Sequence, residues 1–492
     1  MGESSAVIEH HEVIIVGAGL SGIGAAYHLQ TRCPDRSYMI LEGRPRLGGT
    51  WDLFRYPGIR SDSDMFTLGY SFKPWSEKRS IADGAKILEY LREAAEEHGI
   101  DRKIRFDHRV VAASWSSETA RWTVEARVGE GEGARVARFT CSFLFMCSGY
   151  YDYDEGYTPD FADRERFVGR IVHPQRWTDD IDYAGKRIIV IGSGATAVTL
   201  VPALAKRAER VTMLQRSPTY IVSRPAVDKI AQRLRSRLPR RLAYRAIRAK
   251  NIGLSMLFFQ FFRRRPAQGR ALIKKGVRTQ LPADFDVDTH FTPAYAPWDQ
   301  RVCLASNGDF FKAIREGRVD LVTDHIERFT EGGILLRSGR ELEADLIITA
   351  TGLKIKFLAG LELTIDGARV RPSDSMTYKG MMLSGIPNLA LASGYTNASW
   401  TLKAELTAIY VCRLLNHMRR RGDAYCVPRR DPAMPERPFA DLTSGYFERA
   451  REQLPKQGAR VPWRVYQNYL VDLAALRLGR VDDGVMQFRR AG

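Results

Sequence analysis

Apolar runs separated by glycine turns and helical spacing occur twice along the chain. Residues 13–16 and 38–41 are β-rich apolar runs that flank a helical pattern, and residues 187–191 and 211–214 repeat this order. Consecutive parallel strands need a crossover segment, which is usually a helix. The pattern therefore predicts two strand–helix–strand units of an α/β fold, each of the Rossmann-like type.

The turn after the first strand has the spacing of a dinucleotide-binding loop. Its candidate residues are Gly17, Gly19, Ser21 and Gly22, and Glu42 ends the second strand. Glycine permits a tight turn and a close approach of the backbone to a pyrophosphate, and the helix N-terminus supplies N–H donors. Glu42 can accept hydrogen bonds from ribose hydroxyls. The alternative is a tight turn that binds no ligand.

The second unit carries a variant of the same turn, with alanine at the third glycine position. Its candidates are Gly192, Ser193, Gly194, Ala195, Thr196 and Ala197, with Arg216 and Ser217 at the end of the next strand. An acid at that strand end would repel a 2′-phosphate, whereas Arg216 attracts it, so the motif predicts NADPH rather than NADH. The alternative for Arg216 is a solvated surface side chain.

Two dinucleotide sites in one chain restrict the chemistry, because a hydride from a nicotinamide needs an acceptor. FAD in the first site would provide one, so FAD and NADPH are the expected cofactors. The six cysteines include no Cys-x-x-Cys pair, which argues against a disulfide reductase and a metal site. Reduced flavin would then react with oxygen. The N-terminus lacks a signal-peptide pattern, and we expect a cytoplasmic protein.

The positive charge of the chain is concentrated in one segment. The 492 residues carry a formal net charge of +18, and residues 229–278 hold sixteen basic residues and no acidic one. Ile230, Leu234, Leu238 and Leu242 follow a four-residue spacing that predicts helices. Three interpretations remain open: a helical insertion with solvated arginines and a buried aromatic face, peripheral attachment to an anionic membrane, or nucleic-acid binding. The last is not expected, because no recognition motif accompanies the charge.

Two longer patterns narrow the choice among flavin enzymes. Phe167, Gly169, His173 and Trp177 lie between the two units at the spacing FxGxxxHxxxW. The second pattern is met in full by Gly48, Gly49, Trp51, Tyr56, Pro57, Gly58 and Asp62. Together they resemble the fingerprints of the type I Baeyer–Villiger flavin monooxygenases, except that Thr178 stands where that family has Pro or Asp. The resemblance covers nearly the whole chain and is closest to a subgroup with thioamide-activating mycobacterial members.

The resemblance implies a reaction and two catalytic residues. NADPH would reduce FAD, and O₂ would add at flavin C4a to give a C4a-peroxyflavin that inserts one oxygen atom next to a ketone carbonyl. The product would be an ester or lactone, and a protonated peroxide would oxidise thioethers or thioamides. Arg301 matches the family's active-site arginine, and Asp62 matches its carboxylate partner. Gln300 replaces a lysine that often helps to bind the 2′-phosphate.

Further residues are candidates for cofactor binding or for coupling the two units. The cofactor candidates also include Gly49, Thr50, Trp51, Arg60, Ser61, Asp62 and Val110. For His173, one hypothesis is a catalytic base. The favoured hypothesis is a linker residue whose ring hydrogen-bonds between domains, with Trp177 packed beside it, so that rotation of the NADP domain is coupled to catalysis.

The predicted organisation divides the chain into five segments. These are an FAD-binding part over 1–150, the first part of an NADP-binding domain over 151–225, a basic helical insertion over 226–298, the second NADP-binding part over 299–354 and a C-terminal FAD-binding part over 355–492. The leading prediction is an NADPH-dependent Baeyer–Villiger-type monooxygenase. The alternatives are a flavin N- or S-oxygenase without ketone insertion and a basic lipid- or nucleic-acid-binding protein.

Overall fold

The computed structural model describes residues 8–129, 131–440 and 442–490 of the chain. The first seven residues of the predicted 1–150 segment lie outside the described residues. Residue 130 in the predicted hairpin and residues 441, 491 and 492 in the C-terminal segment also lie outside them.

The helices and strands follow one another in four stretches of the chain. The first stretch contains β1 (Glu9–Val16), α1 (Leu20–Arg32), β2 (Tyr38–Leu41), α2 (Thr50–Leu53), α3 (Met65–Leu68), α4 (Gly84–Glu97), β3 (Ile104–Arg105), β4 (His108–Ser116), β5 (Arg121–Val128), β6 (Arg135–Met146) and β7 (Tyr151–Gly156). The second contains β8 (Arg170–Val172), β9 (Arg187–Ile191), α5 (Ala195–Leu204), β10 (Arg210–Gln215), β11 (Ile221–Arg224), α6 (Lys229–Arg237), α7 (Arg240–Arg264), α8 (Pro266–Arg278) and α9 (Val287–Phe291). The third contains β12 (Cys303–Ser306), α10 (Asp309–Arg315), β13 (Val319–Thr323), β14 (Ile326–Phe329), β15 (Gly333–Leu336), β16 (Glu341–Glu343) and β17 (Leu346–Thr349). The fourth contains β18 (Leu353–Ile355), β19 (Glu362–Ile365), β20 (Ala368–Val370), β21 (Thr377–Tyr378), β22 (Met382–Leu383), β23 (Leu389–Leu391), α11 (Trp400–Arg421), β24 (Tyr425–Pro428), β25 (Glu436–Pro438), α12 (Gly445–Ala450), β26 (Lys456–Gly458), α13 (Tyr469–Asp472) and β27 (Met486–Arg489).

The larger sheet and the helices packed on it form what we call the first domain. Its centre is parallel, with β3, β2, β1, the end of β6 and β23 side by side, and β4 and β5 extend it in antiparallel fashion. Val13 pairs with Tyr38 and Ile14 with Leu144, which confirms the predicted strand–helix–strand unit. Val13 and Ile14 are fully buried, as expected for a parallel sheet covered on both faces.

The second domain is built on a five-stranded sheet in the order β13, β10, β9, β17 and β8. All of its strand pairs are parallel, with Val211 and Leu346 both opposite Ile188. Helix α5 connects β9 to β10 and buries Val198 and Leu200 completely. The second predicted Rossmann-like unit is therefore confirmed, and the fold is α/β with two such domains.

Two neighbouring linkers connect the domains. The first leaves the larger sheet through β7, and the second returns through β18, which pairs with β7 in antiparallel fashion. Strand β19 then joins the larger sheet beside β4. Both ends of the chain thus contribute to the first domain, and the second domain lies between them in sequence.

The basic segment forms helices α6, α7 and α8 between the paired strands β11 and β12. It packs against the first domain, where Tyr244 donates to the carbonyl of Tyr70 at 2.8 Å. Arg248 donates to the carbonyls of Phe66 and Gly69 and forms an ion pair at 2.9 Å with the buried Glu405 on α11. The expectation of solvated arginines was therefore wrong for Arg248, because long-range pairing with Glu405 is not visible in local sequence.

Other cations of this segment stay on the surface. The side chains of Lys229, Arg233, Arg237, Arg240, Arg241 and Arg245 are exposed and form no ion pair with any residue that the structure describes. The aromatic stretch is also only partly buried, since Phe262 is buried but 54% of Phe258 is exposed. Across the described ranges, we find no helix long and apolar enough to cross a membrane.

We expect Arg248→Ala to lower the free energy of unfolding by about 3–5 kcal/mol, because it leaves the buried Glu405 carboxylate with its hydrogen bonds from Ser71 but without its arginine. Arg245→Ala is the matched control, since Arg245 lies on the same helix, is exposed and has no ion-pair partner in the described structure. Chemical denaturation of both variants measures the difference. Equal, small losses in both would contradict the structural role of Arg248.

Candidate active site

A cavity of about 760 Å³ lies at the carboxyl ends of the central strands in the first domain. Many of the predicted cofactor-binding residues line it: Gly17, Gly19, Ser21, Glu42, Gly49, Thr50, Trp51 and Val110. This is the position at which ligands bind in open α/β sheets, outside the strand ends. The structure thus brings residues from four separate stretches of sequence into one cleft.

The glycine turn of this cleft depends on close backbone approach. Gly17 has φ +105°, and a Cβ there would lie 2.7 Å from the carbonyl oxygen of Cys147. A Cβ on Gly22 would lie 1.8 Å from the carbonyl oxygen of Gly17. Helix α1 begins next to this turn without a side-chain cap, so the amides of its first turn remain available. These features fit a bound pyrophosphate.

Glu42 lies at the other end of the turn and is buried. One of its carboxylate oxygens accepts from the amide of Ala18 at 2.7 Å, and the other accepts from the amide of Arg44 at 3.0 Å. Burial raises the pKa of Glu42, while these amide donors oppose the shift. Each oxygen keeps a lone pair that could accept from a ribose hydroxyl. The cleft therefore fits an adenine dinucleotide.

Several cations on the cleft walls were missed by the sequence analysis. Arg44 forms an ion pair with Asp52 at 2.7 Å, and Arg109 donates to Asp154 at 2.8 Å. Lys356, which comes from the second linker, also pairs with Asp154 at 2.8 Å. The position of Arg44 two residues after Glu42 was the one local signal for a basic wall.

The turn of the second domain has the same construction. Gly192 has φ +130°, and a Cβ there would lie 2.3 Å from the carbonyl oxygen of Ala350. A Cβ on Gly194 would meet nothing within 4 Å, so space remains above the start of α5, where Ala195, Thr196 and Ala197 form the first turn. Ser193 donates to the carbonyl of Ser217 at 3.0 Å, which places the end of β10 beside the turn. Arg216, the residue before Ser217, is exposed and makes no ion pair within the described structure.

The fingerprint around Gly58 joins the two domains. Gly58 has φ +82°, and a Cβ there would lie 2.7 Å from the Cβ of Ala203 and 2.8 Å from the carbonyl oxygen of Thr199, both on α5. Phe54 and Tyr56 are buried in the core of the second domain. This motif is therefore the place where a loop of the first domain packs on the nucleotide-binding helix of the second.

Arg60 and Ser61 lie outside the large cavity and are engaged by other protein groups. Arg60 forms an ion pair with Asp309 at the start of α10 and donates to the carbonyl of Leu304 at 3.3 Å. Its guanidinium is thus already held by a carboxylate that would repel a phosphate. Ser61 is buried and exchanges backbone and side-chain hydrogen bonds with Ala82. Neither residue lines the large cavity, so the expectation that they contact a cofactor stays a prediction.

Arg301 lies at the junction between the large cavity and a second, smaller one. Its terminal nitrogen donates to the hydroxyl of Tyr150 at 3.1 Å, and no carboxylate of the described residues lies within 4 Å of the guanidinium. The hydroxyls of Tyr446 and Tyr150 lie close enough to raise the pKa of Arg301 well above its usual value. Arg301 is therefore a half-buried permanent cation whose remaining donors are not used by an ion pair.

Asp62 acts on Arg301 only over a longer distance. No ion pair within 4 Å joins the two side chains among the described residues, so the expected partnership of Asp62 with Arg301 rests on a longer-range electrostatic interaction and stays a prediction. Desolvation raises the pKa of the Asp62 carboxyl, and the positive charges of Arg301 and Arg60 partly oppose this rise. A ligand that binds to the guanidinium would therefore not have to displace an ion pair.

Tyr150 and Trp400 complete the junction and were not identified from sequence. Their rings stack with centroids 5.2 Å apart, and both side chains line the two cavities. The Trp400 indole N–H donates to the hydroxyl of Ser21 at 2.8 Å, which links the junction to the first glycine turn. The only local signal was that Tyr150 follows the glycine at the end of a predicted strand.

His173 connects the two linkers. Its Nε2–H donates to the carbonyl of Gly352 at 3.0 Å, and its Nδ1 accepts from the amide of Gln175 at 3.2 Å. The ring also fills the space beside Gly156, where a Cβ would lie 2.0 Å from it. Both ring nitrogens are therefore occupied by the neutral form, and burial lowers the pKa of His173. These contacts favour the hypothesis of a linker residue over that of a catalytic base.

The other residues of this fingerprint support the same region. Gly169 allows the Phe167 ring to pack against the backbone, since a Cβ would lie 2.5 Å from that ring. Trp177 is buried in the core of the second domain and packs edge-on against Tyr183. The residues of this fingerprint therefore stabilise the part of the chain that connects the two domains.

Comparison with known proteins shows what the chain is similar to. Residues 68–236 match the flavin-binding monooxygenase-like family, and residues 15–75 match the NAD(P)-binding Rossmann-like domain. The chain is 56% identical over 484 residues to the FAD-containing monooxygenase EthA of Mycobacterium tuberculosis, with 98% of each chain covered. It is 53% identical to EthA of Mycolicibacterium smegmatis, again with 98% of each chain covered.

One solved structure extends this likeness to three dimensions. A steroid monooxygenase in its oxidised form bound to NADP matches 98% of this chain and 100% of its own, with a TM-score of 0.74 and 23% identity. At this identity, the match establishes the shared fold.

The occupied nitrogens of His173 predict a pH dependence. Burial lowers its pKa from the model-compound value of 6.5, so the folded protein favours the neutral ring and the stability it supplies is complete above pH 6.5. That stability is lost as the pH falls below this value, because the unfolded chain takes up the proton first. We expect the melting temperature of wild type to fall more between pH 7.5 and 5.5 than that of His173→Gln. Parallel curves would contradict the assignment.

Proposed function

The chain belongs to the FAD-containing monooxygenases, and from this premise we propose that it uses NADPH and O₂ to insert one oxygen atom next to a ketone carbonyl. The overall reaction is ketone + O₂ + NADPH + H⁺ → ester or lactone + NADP⁺ + H₂O. We further propose that thioethers and thioamides are oxidised at the same site. Because the chain belongs to a family of enzymes, we set aside the alternative of a basic lipid- or nucleic-acid-binding protein without catalytic activity.

The observation that carries the proposal is the unpaired guanidinium of Arg301 at the junction of the two cavities. Attack on a carbonyl places negative charge on its oxygen, and fixed donors that meet this charge in an enclosed site stabilise the transition state. Arginine suits this role because it remains protonated when partly buried. A close carboxylate would compete with that oxygen, and none lies within 4 Å among the described residues.

The residues that would hold the two cofactors follow from the clefts. Gly17, Gly19 and the first turn of α1 would bind the pyrophosphate of FAD, and Glu42 its ribose. Bound FAD would supply the two-electron carrier that passes reducing equivalents from the nicotinamide to oxygen. Gly194 and Arg216 in the second domain would bind NADPH, with the exposed guanidinium of Arg216 on the 2′-phosphate.

The other side chains of the site position Arg301. Tyr150 accepts a hydrogen bond from Arg301 and stacks on Trp400, so the guanidinium is oriented by a ring that is itself held in place. The Asp62 carboxyl forms no direct ion pair with Arg301 but interacts with it electrostatically, which favours the cation. The linker contacts of His173 would keep the second domain in the orientation that brings Arg301 to the cleft.

Oxidation of a sulfur atom depends less on stabilisation by the Arg301 guanidinium, because no oxyanion forms on the substrate. A variant that lacks the guanidinium should therefore lose ketone insertion more than thioether oxidation. This difference separates the proposed function from the alternative of a flavin N- or S-oxygenase, which would show no ketone insertion even in wild type.

We expect Arg301→Ala to bind FAD and to accept electrons from NADPH at a normal rate, but to form ester about 10²–10³-fold more slowly. Arg301→Lys should recover only part of this loss, since a lysine keeps the charge but not the fork of donors. Anaerobic stopped-flow reduction and ester quantification by gas chromatography measure the two steps. Arg241→Ala, an exposed arginine on α7, is the control. Unchanged ester formation in Arg301→Ala would contradict the proposal.

We also propose a peripheral contact with anionic membrane through the corner between α6 and α7. Exposed apolar side chains lie there among unpaired cations, with 55% of Ile230, 38% of Leu238 and 53% of Leu242 exposed. Arg240 and Arg241 lie between these apolar positions in sequence. An apolar face surrounded by cations matches the surface of an anionic bilayer.

Co-sedimentation with phosphatidylglycerol vesicles tests this contact. Wild type should pellet at low salt and be released at high salt, and Arg240→Glu/Arg241→Glu should bind at least about 30-fold more weakly, since each basic residue contributes about 1 kcal/mol. The control is Arg369→Glu/Arg371→Glu, which changes two exposed arginines on the first domain. Binding to neutral phosphatidylcholine vesicles alone, or an equal loss in both variants, would contradict the proposal.

A further inference from the structure

Two hydrogen bonds connect the guanidinium of Arg301 to a hydroxyl group in the wall of the large cavity. The terminal nitrogen of Arg301 donates to the hydroxyl of Tyr150 at 3.1 Å, and that hydroxyl donates to the hydroxyl of Tyr151 at 2.9 Å. The two tyrosine rings are neighbours, with centroids 4.3 Å apart. Tyr151 is the first residue of β7, so this chain of hydrogen bonds ends on the linker that leaves the first domain.

The direction of the second hydrogen bond follows from the charge of Arg301. A phenol hydroxyl has one hydrogen to donate and lone pairs that accept. A hydrogen bond from a cation withdraws electron density from the Tyr150 oxygen, which makes this oxygen a poorer acceptor and its own O–H a better donor. Tyr150 therefore donates to Tyr151, and this bond uses the single hydroxyl hydrogen of Tyr150.

The hydroxyl hydrogen of Tyr151 remains available to a ligand. Its oxygen accepts from Tyr150, and no described residue accepts a hydrogen bond from it. Tyr151 and Arg301 both line the large cavity. The hydroxyl of Tyr446 also lies near the guanidinium, but Tyr446 lines neither cavity. Two sets of unused donors therefore lie in one cavity wall: N–H groups of Arg301 and the O–H of Tyr151.

Tyr151 keeps its hydroxyl hydrogen at neutral pH. Desolvation raises the pKa of Tyr151 to about 12, although the positive charge of Arg301 opposes this rise. A neutral phenol that is polarised by a cation is a strong hydrogen-bond donor. Unlike a carboxylate, it carries no negative charge that would pair with the guanidinium and displace a ligand.

We propose that Tyr151 is a catalytic residue whose hydroxyl donates a hydrogen bond to the same substrate oxygen atom as the Arg301 guanidinium. The inference rests on the proposed ketone oxygenation and adds a second donor to it. Attack on the carbonyl places negative charge on this oxygen, and two fixed donors stabilise that charge better than one. Tyr150 is a positioning residue, because it acts on the substrate only through its two hydrogen-bonding neighbours.

Removal of one hydroxyl group tests the second donor. Tyr151→Phe keeps the ring and should lower kcat for ester formation from 2-octanone by about 10–100-fold, with KM changed less than about threefold, because the hydrogen bond strengthens as charge develops. Oxidation of hexyl methyl sulfide should fall less than about threefold, since no oxyanion forms on that substrate. Tyr157→Phe is the matched control, because Tyr157 directly follows β7 but lines neither cavity.

A double-mutant cycle tests the chain of hydrogen bonds. Tyr150→Phe should also lower kcat, since Arg301 no longer polarises the Tyr151 hydroxyl. The loss in Tyr150→Phe/Tyr151→Phe should be smaller than the product of the two single losses, because the two hydroxyls act as one unit. Losses that multiply would contradict the action of Tyr150 through Tyr151.

The carbonyl stretching frequency of a bound ketone gives a readout that does not depend on turnover. FAD-loaded protein without NADPH is mixed with 2-octanone that carries ¹³C at the carbonyl, and an isotope-edited infrared spectrum is recorded. A carbonyl that accepts two hydrogen bonds absorbs at a lower frequency than one that accepts a single bond. The frequency should therefore rise in Tyr151→Phe and keep its wild-type value in Tyr157→Phe. Equal frequencies in wild type and Tyr151→Phe would overturn the inference.

The outcomes distinguish the inference from the proposed function. If wild type forms ester and Tyr151→Phe forms it at the same rate, the second donor is wrong although the function stands. If wild type converts no ketone, the proposed function is wrong, and the carbonyl frequency still decides whether Tyr151 donates to a ketone oxygen. A changed flavin absorption spectrum in ligand-free Tyr151→Phe, with an unchanged carbonyl frequency, would assign the hydroxyl to FAD and overturn the inference. Tyr150→Phe replaces Tyr151→Phe in the infrared experiment if the latter does not fold.

Discussion

A guanidinium that is half-buried yet has no close carboxylate is the constraint on which the rest of the site depends. Removing a cation from water is costly unless other groups compensate, and a direct ion pair is the usual compensation. Arg301 instead has the hydroxyl of Tyr150 at 3.1 Å and a longer-range electrostatic interaction with the Asp62 carboxyl. The guanidinium can therefore stabilise an oxygen atom of the substrate that becomes negatively charged during the reaction, and this lowers the free energy of the transition state.

The domain arrangement serves to bring this cation to the cleft. Arg301 precedes β12, and the ion pair between Arg60 and Asp309 fixes the neighbouring end of the second domain to the first. Gly58 permits the first domain to pack closely on α5. His173 holds the two linkers together through Gly352. The long fingerprints therefore contain the residues of the domain contact, and one of them also supplies Gly49 and Trp51 to the wall of the dinucleotide cleft.

The parts of the fold that repeat local patterns could be predicted from sequence. Strands Tyr38–Leu41 and Arg187–Ile191 have the predicted bounds, because a buried parallel strand is a continuous apolar run ended by glycine or a polar residue. Glu42 was also found, since its spacing from the glycine turn is set by one helix and one strand.

Partners that are distant in sequence could not be predicted. Arg60 pairs with Asp309, far along the chain, and local sequence gave no signal for that contact. Arg248 looked like one more solvated charge until its partner Glu405 was known. The wall of the second cavity at Phe447 depends on how the irregular C-terminal segment folds back on the junction, which no periodic pattern encodes. This wall thus belongs to the part of the site that sequence reasoning missed.

The most direct test of the central claim is the origin of the oxygen atom in the product. Purified FAD-loaded protein is supplied with NADPH, 2-octanone and ¹⁸O₂, and the ester is analysed by mass spectrometry. One ¹⁸O atom per ester, with none taken from H₂¹⁸O in the reciprocal experiment, is the predicted result. Ester or other product without the label from O₂ would contradict insertion of an oxygen atom from O₂ into the substrate.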